Sequence, residues 1–142
     1  MSRFQVDRSK VREVIVIRGD RDCPGCGTKM RIRSERRRNI HTLEGPMRLI
    51  VKLLHCPNEE CNTVKTFAPE QEAEYAMPRW GIGWDVFCWM GQRRFARHWS
   101  VCQIRHELAD SYDIPLSDDA IEDHLASYQN MVATHGKRML NP

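Results

Sequence analysis

The sequence contains no apolar run approaching the ~18–20 residues of a membrane span. Its first ten residues, MSRFQVDRSK, lack the apolar stretch of a secretory signal. No membrane partner is expected, and a cytoplasmic location is. Internal repeats and low-complexity tracts are missing too, which excludes solenoids and compositionally biased linkers. So are the usual signs of catalysis. His98, His106 and His124 have no acid or nucleophile at a telling spacing and read as surface or cap residues. The dense carboxylates Asp118, Asp119, Glu122 and Asp123 fit the positive end of a helix dipole better than a paired-carboxylate site. A binding module is expected rather than an enzyme.

The 142 residues allow one ordinary domain or two very small ones, and 41% hydrophobic content marks a folded chain. Charge is unevenly spread. Residues 1–65 carry 15 Lys+Arg against 8 Asp+Glu, and residues 66–142 carry 7 against 11. A basic half followed by an acidic half suggests two functional units.

Six cysteines in a chain with no sign of export read as metal ligands sooner than as disulfides. Cys23-Pro-Gly-Cys26-Gly27 can set two sulfurs on one ion, with Pro24 and the glycines favouring a tight turn that aims N–H groups at them. Cys56 and Cys61, with four residues between, keep zinc-ligand spacing. The 29 residues separating the pairs suffice for a hairpin that brings them together. Four thiolates would complete the sphere of one structural zinc and leave no position for an activated water. A β-rich unit of this size builds only a marginal core, so metal binding would couple to its folding. His41 and His55 read as strand residues. Cys88 and Cys102, on apolar faces of expected helices, read as small core residues.

β-Branched residues over 11–18 predict a strand, as do the period-two stretch Met30–Arg36, the short run Ile40–Leu43, the apolar Met47–His55 and a last segment around Val64–Phe67, with a break at Glu44-Gly45-Pro46. A linker is expected at 70–82. Helical spacing follows: Trp84, Phe87, Cys88, Met90, Gly91 and Phe95 on one helix, and Val101, Ile104 and Leu108 on a second, capped by Ser100 with Gln103. A third, with Ile121, Leu125, Tyr128 and Val132, is capped by Ser117 and stopped near Gly136. Trp80, Trp84, Trp89 and Trp99 read as helix core and packed linker rather than as base-stacking platforms.

Arg31, Arg33, Arg36, Arg37 and Arg38, with Lys29 just before them, form the densest basic run. Three consecutive arginines on an expected turn repel one another unless an anion neutralises them, and arginine pairs well with phosphate. Arg93, Arg94 and Arg97 form a second patch.

The order of these features resembles a known family. A Cys-Pro-x-Cys-Gly turn, a basic hairpin, and Cys56-Pro-Asn-Glu-Glu-Cys61 followed by Thr66-Phe67-Ala68-Pro69 look like the zinc ribbon at the front of bacterial insertion-sequence transposases. Gly81-Ile-Gly-Trp-Asp-Val86, Arg93-Arg-Phe-Ala-Arg-His98, Ile104-Arg-His-Glu-Leu108 and Ile114-Pro-Leu-Ser117 are similar to the helix-turn-helix that follows that ribbon. The resemblance implies recognition of transposon-end or related DNA, with an RNase H-like catalytic domain following that these 142 residues have no room for. The acidic start of the third helix departs from the pattern, because it would repel phosphates there.

The expected architecture is α+β, an N-terminal four-cysteine zinc β-ribbon at 1–69 and, beyond the 70–82 linker, a three-helix, helix-turn-helix-like unit at 83–135 with a tail at 136–142. One structural Zn2+ is expected on Cys23, Cys26, Cys56 and Cys61. The expected function is binding of double-stranded DNA, in a transposase-like or regulatory role that would place the protein at the bacterial nucleoid. An adaptor that binds a protein partner or the missing catalytic domain, and an RNA-binding ribbon, are the alternatives.

Overall fold

The computed structural model describes residues 10–61 and 66–140, with side chains to residue 133. The parts of the expected ribbon at 1–9 and 62–65, most of the Val64–Phe67 segment included, and the last two residues lie outside that description. The fold is α+β, with a three-stranded sheet and three α-helices. The described residues divide into two compact units, one formed by 10–40 with 46–81, the other by 41–45 with 82–140.

In the first unit β1 (Arg12–Val16), β2 (Arg31–Thr42) and β3 (Gly45–His55) form a sheet in the order β1-β3-β2. β1 runs parallel to β3, with Arg12 opposite Met47 and Val16 opposite Val51. The stretches Met30–Arg36 and Ile40–Leu43 are not two strands but one, of 12 residues. The chain reverses later, at Leu43-Glu44, where Gly45 adopts φ 118°, a conformation that side-chain-bearing residues rarely reach. Arg36–Arg38 therefore lie mid-strand and not on a turn. Alternation resolves their repulsion, since consecutive strand residues point to opposite faces.

One face of the sheet is apolar. Val16, Met47, Leu49, Val51 and Ile40 pack with Ala76, and Tyr75 lies against them. The stretch read as a linker is thus structured: a 3-10 helix spans Glu70–Glu74, and Ala76 is fully buried.

In the second unit Gly83 donates its N–H to the His41 carbonyl, and Asp85 accepts from the Leu43 N–H. α1 (Trp84–Gly91) ends earlier than expected and passes into a π turn at Gln92–Ala96. α2 (Val101–Tyr112) begins with the expected reciprocal Ser100–Gln103 capping box. It ends on Asp113, left-handed at φ 56°, which returns the chain so that Ile114 is buried. α3 (Asp118–Leu140) starts with the Ser117 hydroxyl accepting from Ala120 N–H and continues through Gly136, where the sequence predicts a stop. Ile104, Leu108, Ile121 and Leu125 are buried as their spacing implies, whereas Val132 is 54% exposed. Cys88 and Cys102 are exposed and not core residues, because their helices bury the positions Phe87, Trp89, Met90 and Ile104 instead.

Gly91 has a packing reason. A Cβ there would lie 2.3 Å from the ring of Tyr128, which is held at 5.5 Å from Phe87 and stacked at 5.8 Å on Phe95. In an ordinary helix interior Gly→Ala stabilises by roughly 0.5–1 kcal/mol. Gly91→Ala is instead expected to cost about 1–3 kcal/mol through overpacking, measured as a lower denaturation midpoint by tryptophan fluorescence.

Candidate metal centre and its basic surroundings

The four cysteines come from two tight turns at the end of the sheet away from Leu43-Glu44. In the first turn Gly27 N–H donates to the Cys23 carbonyl at 2.8 Å, with Gly27 at φ 77°, and Cys23 N–H donates to the Thr28 carbonyl. Asp22 bridges Lys29, so the turn closes like a small hairpin that leads into β2. In the second, Cys61 N–H donates to the Asn58 carbonyl and Glu60 N–H to the Asn58 side chain. An antiparallel bridge between Leu54 and Phe67 follows. Cys23 is buried with Met30 and Leu54, against which Ile17, Cys56, Cys61 and Phe67 pack, so the sulfur cluster is continuous with a small core.

All four sulfurs lie within 4.8 Å of one another. Cys23 Sγ is 3.8 Å from Cys61 Sγ, and Cys26 Sγ is 3.5 Å from Cys56 Sγ. These distances are too long for disulfides, whose sulfurs stand ~2.05 Å apart. They match the edges of a tetrahedron, because a zinc at about 2.3 Å from each sulfur sets the sulfurs roughly 3.8 Å from one another. The residues present therefore fit a metal ion, and four soft thiolates in tetrahedral array suit zinc or iron.

Local donors prepare part of the set. Thr28, through its hydroxyl and its backbone N–H, lowers the Cys26 thiol to about 6. The N–H groups of Cys26 and Gly25 lower Cys23, with Gly25 N 3.4 Å from its sulfur. Cys56 moves the other way: the Asn58 N–H favours its thiolate, yet burial and the three neighbouring sulfurs push it up to about 12. Sulfurs this close cannot all ionise unaided, and a cation among them reverses that balance.

The basic residues divide by face. Arg36 and Arg38 lie on the same side as Glu72. Their guanidinium groups reach its carboxylate at 2.8 and 3.1 Å, and Arg38 also donates to the carbonyls of Met77 and Trp80. The Arg38 side chain is only 12% exposed, which makes it an anchor for 70–80 rather than a free cation. Arg37 pairs with Glu35 at 3.2 Å, and Lys52 reaches the same carboxylate. Lys52 and then Arg37 hold the Glu35 carboxyl below its ordinary value. Lys29, Arg31 and Arg33 are exposed, and among the described residues their side chains make no ion pair.

In the second unit Arg93 lies over Trp89 and Trp99, 4.8 and 5.6 Å from the ring centroids, and Arg94 donates to the Trp99 carbonyl. Arg97 is exposed. Trp89 is buried against Trp99 and Tyr112, as a core reading of the tryptophans expects.

Sequence reasoning missed Glu72, whose acidic stretch Glu-Gln-Glu-Ala-Glu was the available signal. It also missed Arg48 and Lys52, which flank the uninterrupted apolar run Leu49–Val51, all of it buried. No helix among the described residues is long and apolar enough to cross a membrane. Compared with protein-family models, curated proteins and solved structures, the chain matches none.

Two outcomes follow. Purified protein is expected to carry one metal ion per chain by elemental analysis, and a strong chelator or Cys26→Ser to abolish the cooperative unfolding of the sheet unit. Glu72→Ala, which leaves the largely buried Arg38 guanidinium without its carboxylate, is expected to cost about 2–4 kcal/mol in chemical denaturation.

Proposed function

We propose that the protein is a zinc-stabilised, double-stranded DNA-binding module in which Cys23, Cys26, Cys56 and Cys61 hold a structural ion. Its role is transposase-like or regulatory, in the manner of the transposase front end that the sequence resembles. One observation carries the reading. Lys29, Arg31 and Arg33 leave the first cysteine turn along an edge strand, exposed and without ion pairs among the described residues. Exposed cations that no internal carboxylate neutralises can pair directly with phosphates and displace the counterions condensed on the duplex.

The metal serves the fold in this reading. Four thiolates fill a tetrahedral sphere, so no open position remains for water activation, and no enzymatic role is assigned. The helical unit, with α2 capped by Ser100 and α3 by Ser117, is read as helix-turn-helix-like. Asp118, Asp119, Glu122 and Asp123 at the start of α3 favour a packing role for that helix over reading of bases.

The test is equilibrium binding of zinc-loaded protein to a labelled random duplex across a salt series. An affinity that falls by roughly 40–150-fold between about 50 and 200 mM salt is expected for three to four phosphate contacts. Absence of binding at the low salt with one metal per chain removes the assignment.

A further inference from the structure

We infer that the DNA backbone lies on the solvent face of the sheet, where Arg37, Arg48 and Lys52 extend the contact set formed by Arg31 and Arg33. This rests on the DNA-binding reading above. It differs from what the sequence suggests, because Arg36, Arg38 and the helical arginines drop out.

The alternation of the strands defines the face. Arg31, Arg33, Glu35, Arg37 and Asn39 occupy one side of β2, and Arg36, Arg38 and the buried Ile40 the other. Across the hairpin Lys52 reaches Glu35, and Arg48 donates to Asn39 at 3.2 Å. Glu13 stands opposite Arg48 in the β1–β3 register and pairs with it at 3.6 Å. This side of the sheet therefore carries five cations against the carboxylates of Glu13 and Glu35. On the opposite side Tyr75 and Ala76 cover the sheet around Ile40, Leu49 and Val51, and Glu72 takes up both cations, Arg36 and Arg38, so that side offers no surplus of positive charge.

Spacing and preorganisation add to the charge. Side chains two apart on a strand repeat at roughly 6.7 Å, so Arg31 and Arg33 address successive positions along a rod-like anion. The two carboxylates hold Arg37, Arg48 and Lys52 extended over the face, which lowers the side-chain entropy lost on binding. Val11, Glu13, Arg37 and Arg48 line an open depression of about 700 Å3, in which a phosphate would meet two guanidinium groups. Glu13 and Glu35 then act as internal competitors for the cations that phosphate takes over. Most of the arginines left out are held elsewhere: Arg36 by Glu72, Arg38 by Glu72 and two backbone carbonyls, Arg93 by tryptophan faces and Arg94 by the Trp99 carbonyl, while the exposed Arg97 lies in the other unit and serves as the comparison in the test.

The experiment is fluorescence anisotropy of full-length, zinc-loaded variants on one labelled random duplex, with the slope of log affinity against log salt as readout. Arg48→Gln with Lys52→Gln is expected to lower the slope by about two and the affinity roughly fiftyfold near 0.1 M salt. Glu35→Gln, which removes a competitor, is expected to tighten binding severalfold. Arg31→Gln with Arg33→Gln, both exposed, supplies the same loss of slope should the first pair fail to fold. If wild type binds with a steep slope that a folded Arg48→Gln, Lys52→Gln variant leaves unchanged, the face assignment is overturned while DNA binding stands, and Arg93→Gln with Arg97→Gln then shows whether the helical arginines carry the slope instead. If wild type does not bind at low salt, the DNA reading falls and the face assignment with it.

Discussion

Four sulfur atoms within 4.8 Å of one another are an electrostatic problem that the rest of the sheet unit inherits. As thiols they are weak hydrogen-bonding groups that occupy space a small core would fill with hydrocarbon. As thiolates they repel. The local donors already tilt Cys23 and Cys26 toward the ionised form while Cys56 is pushed to about 12, a split that a cation at the centre removes. What depends on this is the end of the sheet opposite its reversal. Cys23, Met30 and Leu54 share one small cluster, so the ends of β2 and β3 are positioned by the same contacts that assemble the sulfurs. An ion bound there would contribute to folding and not only to local order.

The second constraint is cationic. A strand bearing Arg36, Arg37 and Arg38 in succession is unfavourable as long as those charges are near one another. The fold separates them by pleat, sending Arg36 and Arg38 to Glu72 and Arg37 to Glu35. The two groups then have different consequences. On the covered side Glu72 ties 70–80 to the sheet chiefly through Arg38, whose side chain is only 12% exposed, so loss of that pair is felt as stability. On the open side Arg37, Arg48 and Lys52 share two part-exposed carboxylates, and their cations can exchange partners. The proposed DNA-binding role draws on the open side, where Arg31 and Arg33 stand beside this group without an ion pair among the described residues.

How much of this the sequence reveals follows the range of each interaction. The two cysteine turns and the Ser100–Gln103 cap are set by residues a few positions apart and are visible in the spacing. The buried faces of α2 and α3 follow helical period for the same reason. The parallel β1–β3 pairing, the Glu72 anchor and the clash that Tyr128 would impose on a side chain at Gly91 join residues more than thirty positions apart, and no local pattern encodes them. The exposure of Cys88 and Cys102 escapes the sequence because thiols on an apolar stripe resemble core residues. Which side of a helix is covered is decided by Ile121, Leu125 and Tyr128 of a neighbouring element. Arg48 and Lys52 flank the buried run Leu49–Val51, and the side they occupy is evident only once β3 has a covered side.

The central claim is that one metal ion sits among Cys23, Cys26, Cys56 and Cys61 and closes that end of the sheet. X-ray absorption at the zinc edge of the purified, metal-replete protein tests it most directly. The account predicts a single shell of four sulfurs at about 2.3 Å. A shell containing nitrogen or oxygen, or zinc that gives this spectrum equally well after Cys26→Ser, would contradict it.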